Sequence, residues 1–182
     1  MKQRSTVITL IAVICAFFIF QLLNPEVVNF LSLQPFDYLR FSNEWYRMFT
    51  VALLHDTSNS IPYHLAFNMI LLHQFGAPLE QTFGRINFLI IFFVSLLSGS
   101  IASSLFLETA SIGASGAVFG LFGAVIAAGR RAGYEVKSAI VILAINLVLG
   151  FTIGGVDWRA HLGGLLGGFV ITKTLLLLNA PK

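Results

Sequence analysis

The apolar residues of this chain are grouped in long blocks, and this arrangement restricts its fold more than any other feature. Hydrophobic residues make up 57% of the 182 positions and charged residues only 10%, whereas a soluble domain has about 25% charged residues. The period-2 alternation that is typical of a membrane β-barrel is absent. The sequence therefore predicts an all-α integral membrane protein whose solvent is largely the lipid bilayer.

Six of these blocks are long enough to cross a bilayer as helices, since each crossing needs about 20 apolar residues. The predicted spans are residues 6–23, 61–79, 86–107, 112–128, 137–153 and 158–178. The chain is too short for two ordinary domains, so we expect a single domain over residues 1–182. Residues 24–60 carry the cluster Trp45-Tyr46-Arg47, which suits the membrane–water boundary, and they are expected to form an interfacial loop.

The positions of Lys and Arg predict the orientation of the spans, because cytoplasmic loops are enriched in these residues. With both termini inside, 8 of the 11 cationic residues lie in cytoplasmic segments. These are Lys2, Arg4, Arg85, Arg130, Arg131, Lys137, Lys173 and Lys182. In a membrane protein the net charge of +3 is explained by this bias, so it does not indicate a nucleic-acid partner.

In this orientation the second, fourth and sixth spans all begin at the outer face, and each has unusual polar residues there. These residues are His64 and Asn68, Ser115, and His161, respectively. Polar groups inside a membrane are costly and often mark a functional site. We therefore expect the four residues to lie at one depth and to form one site.

The fourth span is short if it begins at Ser115. From Ser115 to Arg130 a helix measures roughly 22 Å at 1.5 Å per residue, which is less than the ~30 Å hydrocarbon core. We therefore expect this helix to begin inside the bilayer, after residues 108–113 have dipped inward from the surface. Irregular backbone at that depth is tolerated where it lines a wet cavity, so the sequence predicts a hydrated pocket with Ser115 at its floor.

A serine and a histidine at such a site suggest hydrolytic chemistry. A serine hydroxyl becomes an effective nucleophile when a neighbouring base takes its proton, and histidine suits this role near neutral pH. Stripes of small residues let two membrane helices approach closely. They are Gly116, Gly120 and Gly123 on the fourth span, and Ala160, Gly164 and Gly168 on the sixth. This contact would bring His161 to Ser115.

The tetrahedral intermediate of such a reaction needs hydrogen-bond donors for its oxyanion. The backbone N–H of Ser115 at a helix N-terminus is one candidate. His64 and Asn68 lie one helical turn apart, on one face, and are candidates as side-chain donors. The His residues lack the spacing of a zinc site, so no metal and no cofactor is expected.

Each residue also has a structural interpretation. The glycines around Ser115 could serve helix packing alone, and a buried His or Asn could bridge helices. Asp157 lies one turn before His161 and could complete a Ser-His-Asp triad, while His55 is interpreted as structural. A secondary transporter also uses polar residues in broken helices, although the six spans show no internal repeat.

Three motifs, taken in chain order, resemble the rhomboid family of intramembrane proteases in its compact six-helix bacterial form. They are His64-x-x-x-Asn68, Gly113-x-Ser115-Gly116 and Ala160-His161-x-Gly163-Gly164. The Trp45-Tyr46-Arg47 cluster and the pair Glu80 and Gly84 are also similar to family features. The resemblance implies a serine endopeptidase in a bacterial inner membrane, which cuts the transmembrane segments of single-span proteins near the outer surface.

The resemblance also implies roles for single residues. Ser115 is the nucleophile and His161 the general base and acid, in a dyad without a third acid. His64, Asn68 and the Ser115 backbone are assigned to the oxyanion site.

Gly113, Gly116 and Phe119 are assigned to the support of this site. Relatives often have Tyr at the position of Phe119, stacked on the histidine, and an apolar ring can provide the same support. A rhomboid-like protein that binds membrane clients without cutting them is the remaining alternative, although such relatives lack the serine or the histidine that this chain retains.

Overall fold

The computed structural model of the protein describes residues 5–59, 61–132, 136–152 and 156–178. The elements are α1 (Thr6–Leu23), α2 (Val27–Leu31), α3 (Phe36–Ser42), α4 (Arg47–Thr50), α5 (Tyr63–Ser104), α6 (Ser115–Ala128), α7 (Val136–Thr152) and α8 (Trp158–Leu178), with 3₁₀ turns at Val51–Leu53 and Gly129–Ala132. Within these ranges the regular structure is helical, apart from an isolated antiparallel bridge between Leu33 and Ser111.

The structure confirms an all-α protein with helices suited to a membrane. By length and composition α1, α5 and α8 are able to cross a bilayer, while α6 and Val136–Asn146 of α7 are apolar but shorter. The number of spans and their orientation stay predictions. Three cations used for the orientation, Lys2, Arg4 and Lys182, lie outside the described residues, as does residue 153 at the end of the predicted fifth span.

The predicted second and third spans are two helices that follow each other directly within α5. The predicted helices over 61–79 and 86–107 correspond to the two parts of α5, which meet at a kink at Gly84. Gly84 has φ +77 and ψ 168, a backbone conformation open to glycine because it lacks a Cβ atom. The chain therefore turns at a single residue, and the expected connecting loop over residues 80–85 is wrong.

Glu80, just before this bend, ties α5 to the start of α1. Its carboxylate accepts hydrogen bonds from the Ser5 hydroxyl (2.6 Å) and from the backbone N–H groups of Thr6 (2.6 Å) and Val7 (3.2 Å). A carboxylate at a helix N-terminus satisfies free N–H groups and interacts favourably with the helix dipole. This contact fixes one end of α1 against α5.

Within the predicted interfacial loop over residues 24–60, the described residues 24–59 include a segment held together by Arg47. This guanidinium is 2% exposed; Nη1 donates to the carbonyls of Asn29 (3.0 Å) and Ser32 (3.1 Å), and Nε donates to Glu44. The segment also exposes large apolar side chains, including Phe41, which is 83% exposed. Its location at the membrane surface stays a prediction.

The helix α6 is enclosed by α5 and α8, and glycines make this close packing possible. A Cβ atom added at Gly164 would overlap the carbonyl oxygen of Gly116, and one added at Gly168 would overlap that of Gly120. Nearly every residue of α6 is buried. The predicted contact between the two small-residue stripes is therefore confirmed, and it brings the N-terminal ends of α6 and α8 together.

Candidate active site

Ser115 is the first residue of α6, at the end of an irregular segment that is anchored to the interfacial loop. The Gly113 N–H donates to the Val51 carbonyl (3.0 Å), and Ser111 pairs with Leu33. The helix was predicted to begin at residue 112, but Gly113 has φ +124, which interrupts the helix before Ser115. The first backbone N–H groups of α6 have no intrahelical partners, as in any helix. The N-cap residue, Ala114, provides no side-chain hydrogen bond to them.

His161 lies beside this N-terminus because its ring stacks on Phe119. The two ring centroids are 3.8 Å apart and the ring planes differ by 6°. Phe119 follows Ser115 by four residues and so lies on the same face of α6, one turn below the hydroxyl. The imidazole is 6% exposed. Among the hydrogen bonds that the structure describes, none joins Ser115 Oγ to His161.

Asp157 does not complete a triad with these residues. One carboxylate oxygen accepts from the hydroxyls of Ser103 and Ser111, and the other accepts from the Ala160 N–H (3.1 Å) at the start of α8. The buried Nδ1 of His161 has no hydrogen-bond partner among the described residues. Asp157 is therefore an N-cap of α8 that links it to α5 and to the segment before α6, and no hydrogen bond among the described residues supports the triad alternative.

His64 faces Ser115 from the start of α5. A Cβ atom added at Gly113 would lie 2.8 Å from His64 Nε2 and 3.8 Å from Ser115 Oγ, so both groups border the space above Gly113. His64 Nδ1 accepts a hydrogen bond from the Asp56 N–H (3.3 Å). A neutral imidazole with Nδ1 as acceptor has its proton on Nε2, which makes Nε2 a donor directed at the site.

Asn68 lies one turn further along α5 and is 5% exposed. Its Nδ2 donates to the carbonyl of His64 (2.7 Å), which fixes the amide relative to the imidazole. A side-chain amide has two N–H groups, so this bond leaves the second N–H to donate to another acceptor. His64 and Asn68 thus keep the shared helical face that the sequence predicted.

A cavity of about 10 Å³, which is room for about one water molecule, lies next to the hydroxyl. Leu33 and Val51 of the interfacial loop, Ser100 of α5 and Ala160 of α8 contribute to its lining together with Ser115. The hydroxyl is therefore next to a small cavity that is lined by the interfacial loop, by α5 and by α8.

Two residues near the site have contacts that the sequence did not predict. Gln21, at the end of α1, makes two hydrogen bonds to the backbone of His55, and both residues are buried. The His55 ring lies 5.1 Å from the His64 ring, measured between centroids. An amide inside an otherwise apolar block was the one signal available, because burying it costs free energy unless it is bonded.

His55 is a neutral residue in this environment. Burial, and then the neighbouring His64, lower its pKa to about 3; the carbonyl of Leu53, which lies outside hydrogen-bond geometry, opposes part of this shift. Since a lowered pKa leaves the ring uncharged at neutral pH, His55 packs against His64 without adding a charge to the site. Its interpretation as structural agrees with these contacts.

Comparison with known proteins gives consistent matches. The Rhomboid domain family model matches residues 42–178. The chain is 38% identical over 145 residues to Rhomboid protease GluP of Bacillus subtilis (strain 168), a match that covers 75% of this chain and 27% of that protein. It is 34% identical over 138 residues to the putative rhomboid protease YdcA of the same organism, a match that covers 72% of this chain and 67% of that protein.

A plant protein is similar to the same degree. RHOMBOID-like protein 6, mitochondrial, of Arabidopsis thaliana is 41% identical over 143 residues, which are 74% of this chain and 45% of that protein. The chain thus spans between 27% and 67% of the lengths of these three relatives.

Proposed function

Because the chain belongs to the rhomboid family, we propose that it is an intramembrane serine endopeptidase with Ser115 as nucleophile and His161 as general base. The observation that carries this proposal is the stacking of His161 on Phe119, one turn below Ser115. In the proposed dyad this stacking orients the imidazole toward the hydroxyl in place of a third acid. The names of GluP and YdcA, which describe proteases, support the same activity.

The first chemical step is the attack of Ser115 on a peptide carbonyl. His161 Nε2 takes the hydroxyl proton while Oγ bonds to the carbonyl carbon. The carbonyl oxygen becomes an oxyanion and accepts hydrogen bonds from the Ser115 N–H, His64 Nε2 and Asn68 Nδ2. The Ser115–His161 hydrogen bond is expected to form when substrate is bound, since catalytic hydrogen bonds are often long in free enzymes.

The second half of the reaction returns the enzyme to its starting state. The imidazolium of His161 gives its proton to the leaving amine, and an acyl-enzyme remains on Ser115. A water molecule then loses a proton to His161 as it attacks the ester carbon, and the imidazolium gives this proton to Ser115 Oγ when the ester bond breaks and the new carboxyl terminus leaves. Gly113 supports these steps because a side chain there would meet the His64 ring, and Gly116 supports them because its backbone packs closely against Gly164 of α8.

The proposed enzyme is a single domain that crosses the membrane six times and has both termini on the cytoplasmic side, as the sequence predicts. The described α6 has 14 residues, or about 21 Å at 1.5 Å per residue, which supports a helix that begins within the bilayer. The site would then open toward the outer face. The two Bacillus relatives support a bacterial inner membrane as the location.

The proposed substrates are the transmembrane segments of single-span proteins, cut near the outer surface. A peptide bond in a regular helix is shielded by its neighbours, so a substrate must unwind locally before Ser115 reaches its carbonyl. Helix-weakening residues near the cut therefore favour cleavage.

Cleavage by the purified protein tests the nucleophile. We expect the wild type to cut a labelled single-span protein in proteoliposomes, and Ser115→Ala to be slower by at least about 10³-fold, since the hydroxyl is the attacking group. Ser42→Ala, an exposed serine at the end of α3, is the matched control and retains wild-type cleavage. Equal cleavage by Ser115→Ala and the wild type rejects the assignment.

A fluorophosphonate probe gives a second measurement on the same variants. It acylates activated serines, so labelling is expected in the wild type and in Ser42→Ala, and absent in Ser115→Ala and His161→Ala. Folded wild-type protein that neither cuts the substrate nor reacts with the probe indicates instead a rhomboid-like protein that only binds membrane clients.

A further inference from the structure

Gln21 makes an unusual pair of hydrogen bonds inside the protein. Its side-chain Nε2 donates to the carbonyl of His55 (2.7 Å), and its Oε1 accepts from the N–H of the same residue (3.0 Å). Gln21 is 2% exposed and lies near the end of α1, outside the residues 42–178 that match the family model. The Gln21 amide therefore holds both the N–H and the carbonyl of His55 in place.

Asp56, which follows His55, connects this part of the backbone to the candidate site. The N–H of Asp56 donates to His64 Nδ1, and the His55 ring packs against the His64 ring. The hydrogen bonds described for the Asp56 carboxylate come from Ser58 and Asn59, within the same loop. The pair with Gln21 thus links the backbone of this loop to α1, while the Asp56 N–H links it to α5.

We infer that Gln21 is a positioning residue for His64, which it holds through the backbone of His55 and Asp56 in the orientation that directs Nε2–H at the space above Gly113. The structure connects the four residues in this order: the Gln21 amide, the His55 backbone, the Asp56 N–H and His64 Nδ1. This inference rests on the proposed function, in which His64 is an oxyanion donor.

The position of the loop matters because a neutral imidazole has two tautomers, and the hydrogen bond at Nδ1 determines which one is present. With Nδ1 accepting from Asp56, the proton is on Nε2 and His64 is a donor toward the site. If the loop moves, Nδ1 loses this partner and the other tautomer or a rotated ring becomes accessible. An oxyanion donor acts only at the correct place, so this change lowers transition-state stabilisation and leaves substrate binding largely intact.

A direct test follows the tautomer of His64 by ¹⁵N NMR of histidine-labelled protein in detergent, with His64→Ala identifying its signals. The wild type is expected to show the Nε2–H tautomer. Gln21→Met, which keeps the side-chain length and removes both hydrogen bonds, is expected to shift the signals toward a mixture. Thr9→Val is the matched control, since this exposed position of α1 lies about 18 Å away along the helix and should leave the spectrum unchanged.

A double-mutant cycle measures the same coupling in activity. Gln21→Met is expected to lower kcat about tenfold with KM nearly unchanged, because a small displacement of a catalytic group has an effect of this order or larger. In a His64→Ala background the same substitution should change kcat less than about twofold, because it acts through His64. Gln21→Asn, whose amide is one methylene too short, replaces Gln21→Met in both measurements if that variant fails to fold.

The outcomes separate a positioning role from a purely structural one. A wild-type His64 spectrum in a folded Gln21 variant, or a loss of kcat that persists in the His64→Ala background, overturns the inference and makes Gln21 a structural link between α1 and the loop. If Ser115→Ala cleaves as well as the wild type, the proposed function fails instead. The NMR measurement still decides in that case whether Gln21 determines the state of His64.

Discussion

Phe119 and His161 form the contact on which the candidate site depends at the residue scale. The rings are nearly parallel and both are buried. An aromatic face holds an imidazole by packing and by weak electrostatic attraction, neither of which requires a hydroxyl group. Phe119 can therefore support the imidazole without a hydroxyl group.

Substitution of Phe119 tests this support. Phe119→Ala removes the stacked ring and leaves a cavity, so we expect a free energy of unfolding lower by about 3–5 kcal/mol and a kcat lower by about tenfold. Phe119→Tyr keeps the ring and is expected to stay within about threefold of the wild-type kcat. Cleavage rates and a denaturant titration measure both effects; a fully active Phe119→Ala would contradict the supporting role.

Other residues show why contacts between distant side chains escape sequence reasoning. Asp157 was a candidate for a triad because it lies one turn before His161, but its oxygens are bonded to Ser103, Ser111 and Ala160. Sequence spacing shows that two groups can be close, whereas their hydrogen bonds depend on every other group nearby. Because the Asp157 oxygens are bonded elsewhere, His161 Nδ1 has no hydrogen-bond partner among the described residues.

At the scale of elements, the positions of α5, α6 and α8 depend on glycine. The stripes on α6 and α8 were visible in the sequence, and the structure places Gly164 against Gly116 and Gly168 against Gly120. The continuity of α5 through residues 80–83 was not visible, because Glu80 and Gly84 look like a loop until the partners of Glu80 on α1 are known.

Alanine substitutions test the packing of α6 against α8. Gly168→Ala adds a Cβ atom that overlaps the backbone of Gly120, so we expect a free energy of unfolding lower by about 1–3 kcal/mol, the typical effect of overpacking. Gly76→Ala is the matched control, because its nearest neighbours are side-chain atoms of Val7 (3.1 Å) and Phe88 (3.3 Å), which can adjust. Unfolding in a mild detergent measures both; equal stability of the two variants would mean that the backbone contact can relax.

For the whole molecule, the arrangement in the membrane determines which side of the bilayer the site faces. The described helices establish the class of protein, but their number of crossings and direction depend on loops and on lipid. The cation bias predicts that Ser58 lies outside and Arg131 inside. The candidate site then opens away from the cytoplasm.

Cysteine labelling in intact cells tests this orientation. In a Cys15→Ser background, which removes the one native cysteine, Ser58→Cys is expected to react with a membrane-impermeant maleimide, and Arg131→Cys only after the cells are opened. Both positions are exposed in the structure, so accessibility within the protein is matched. Reaction of Arg131→Cys in closed cells, with protection of Ser58→Cys, would reverse the topology.

The amino-acid sequence is sufficient to predict the class of this protein and the chemical groups of its candidate site. Apolar block length and the scarcity of charge are local properties, and they are sufficient to predict helices in a membrane. Ser115, His161, His64 and Asn68 were likewise recognisable because polar groups are rare and costly in such blocks.

The contacts that hold these groups in place are visible only in the folded protein. The stacking of Phe119 on His161, the capping role of Asp157 and the path from Gln21 to His64 each join residues from different elements. Such contacts have no period in the sequence, because their energies depend on distance and angle between side chains that folding brings together.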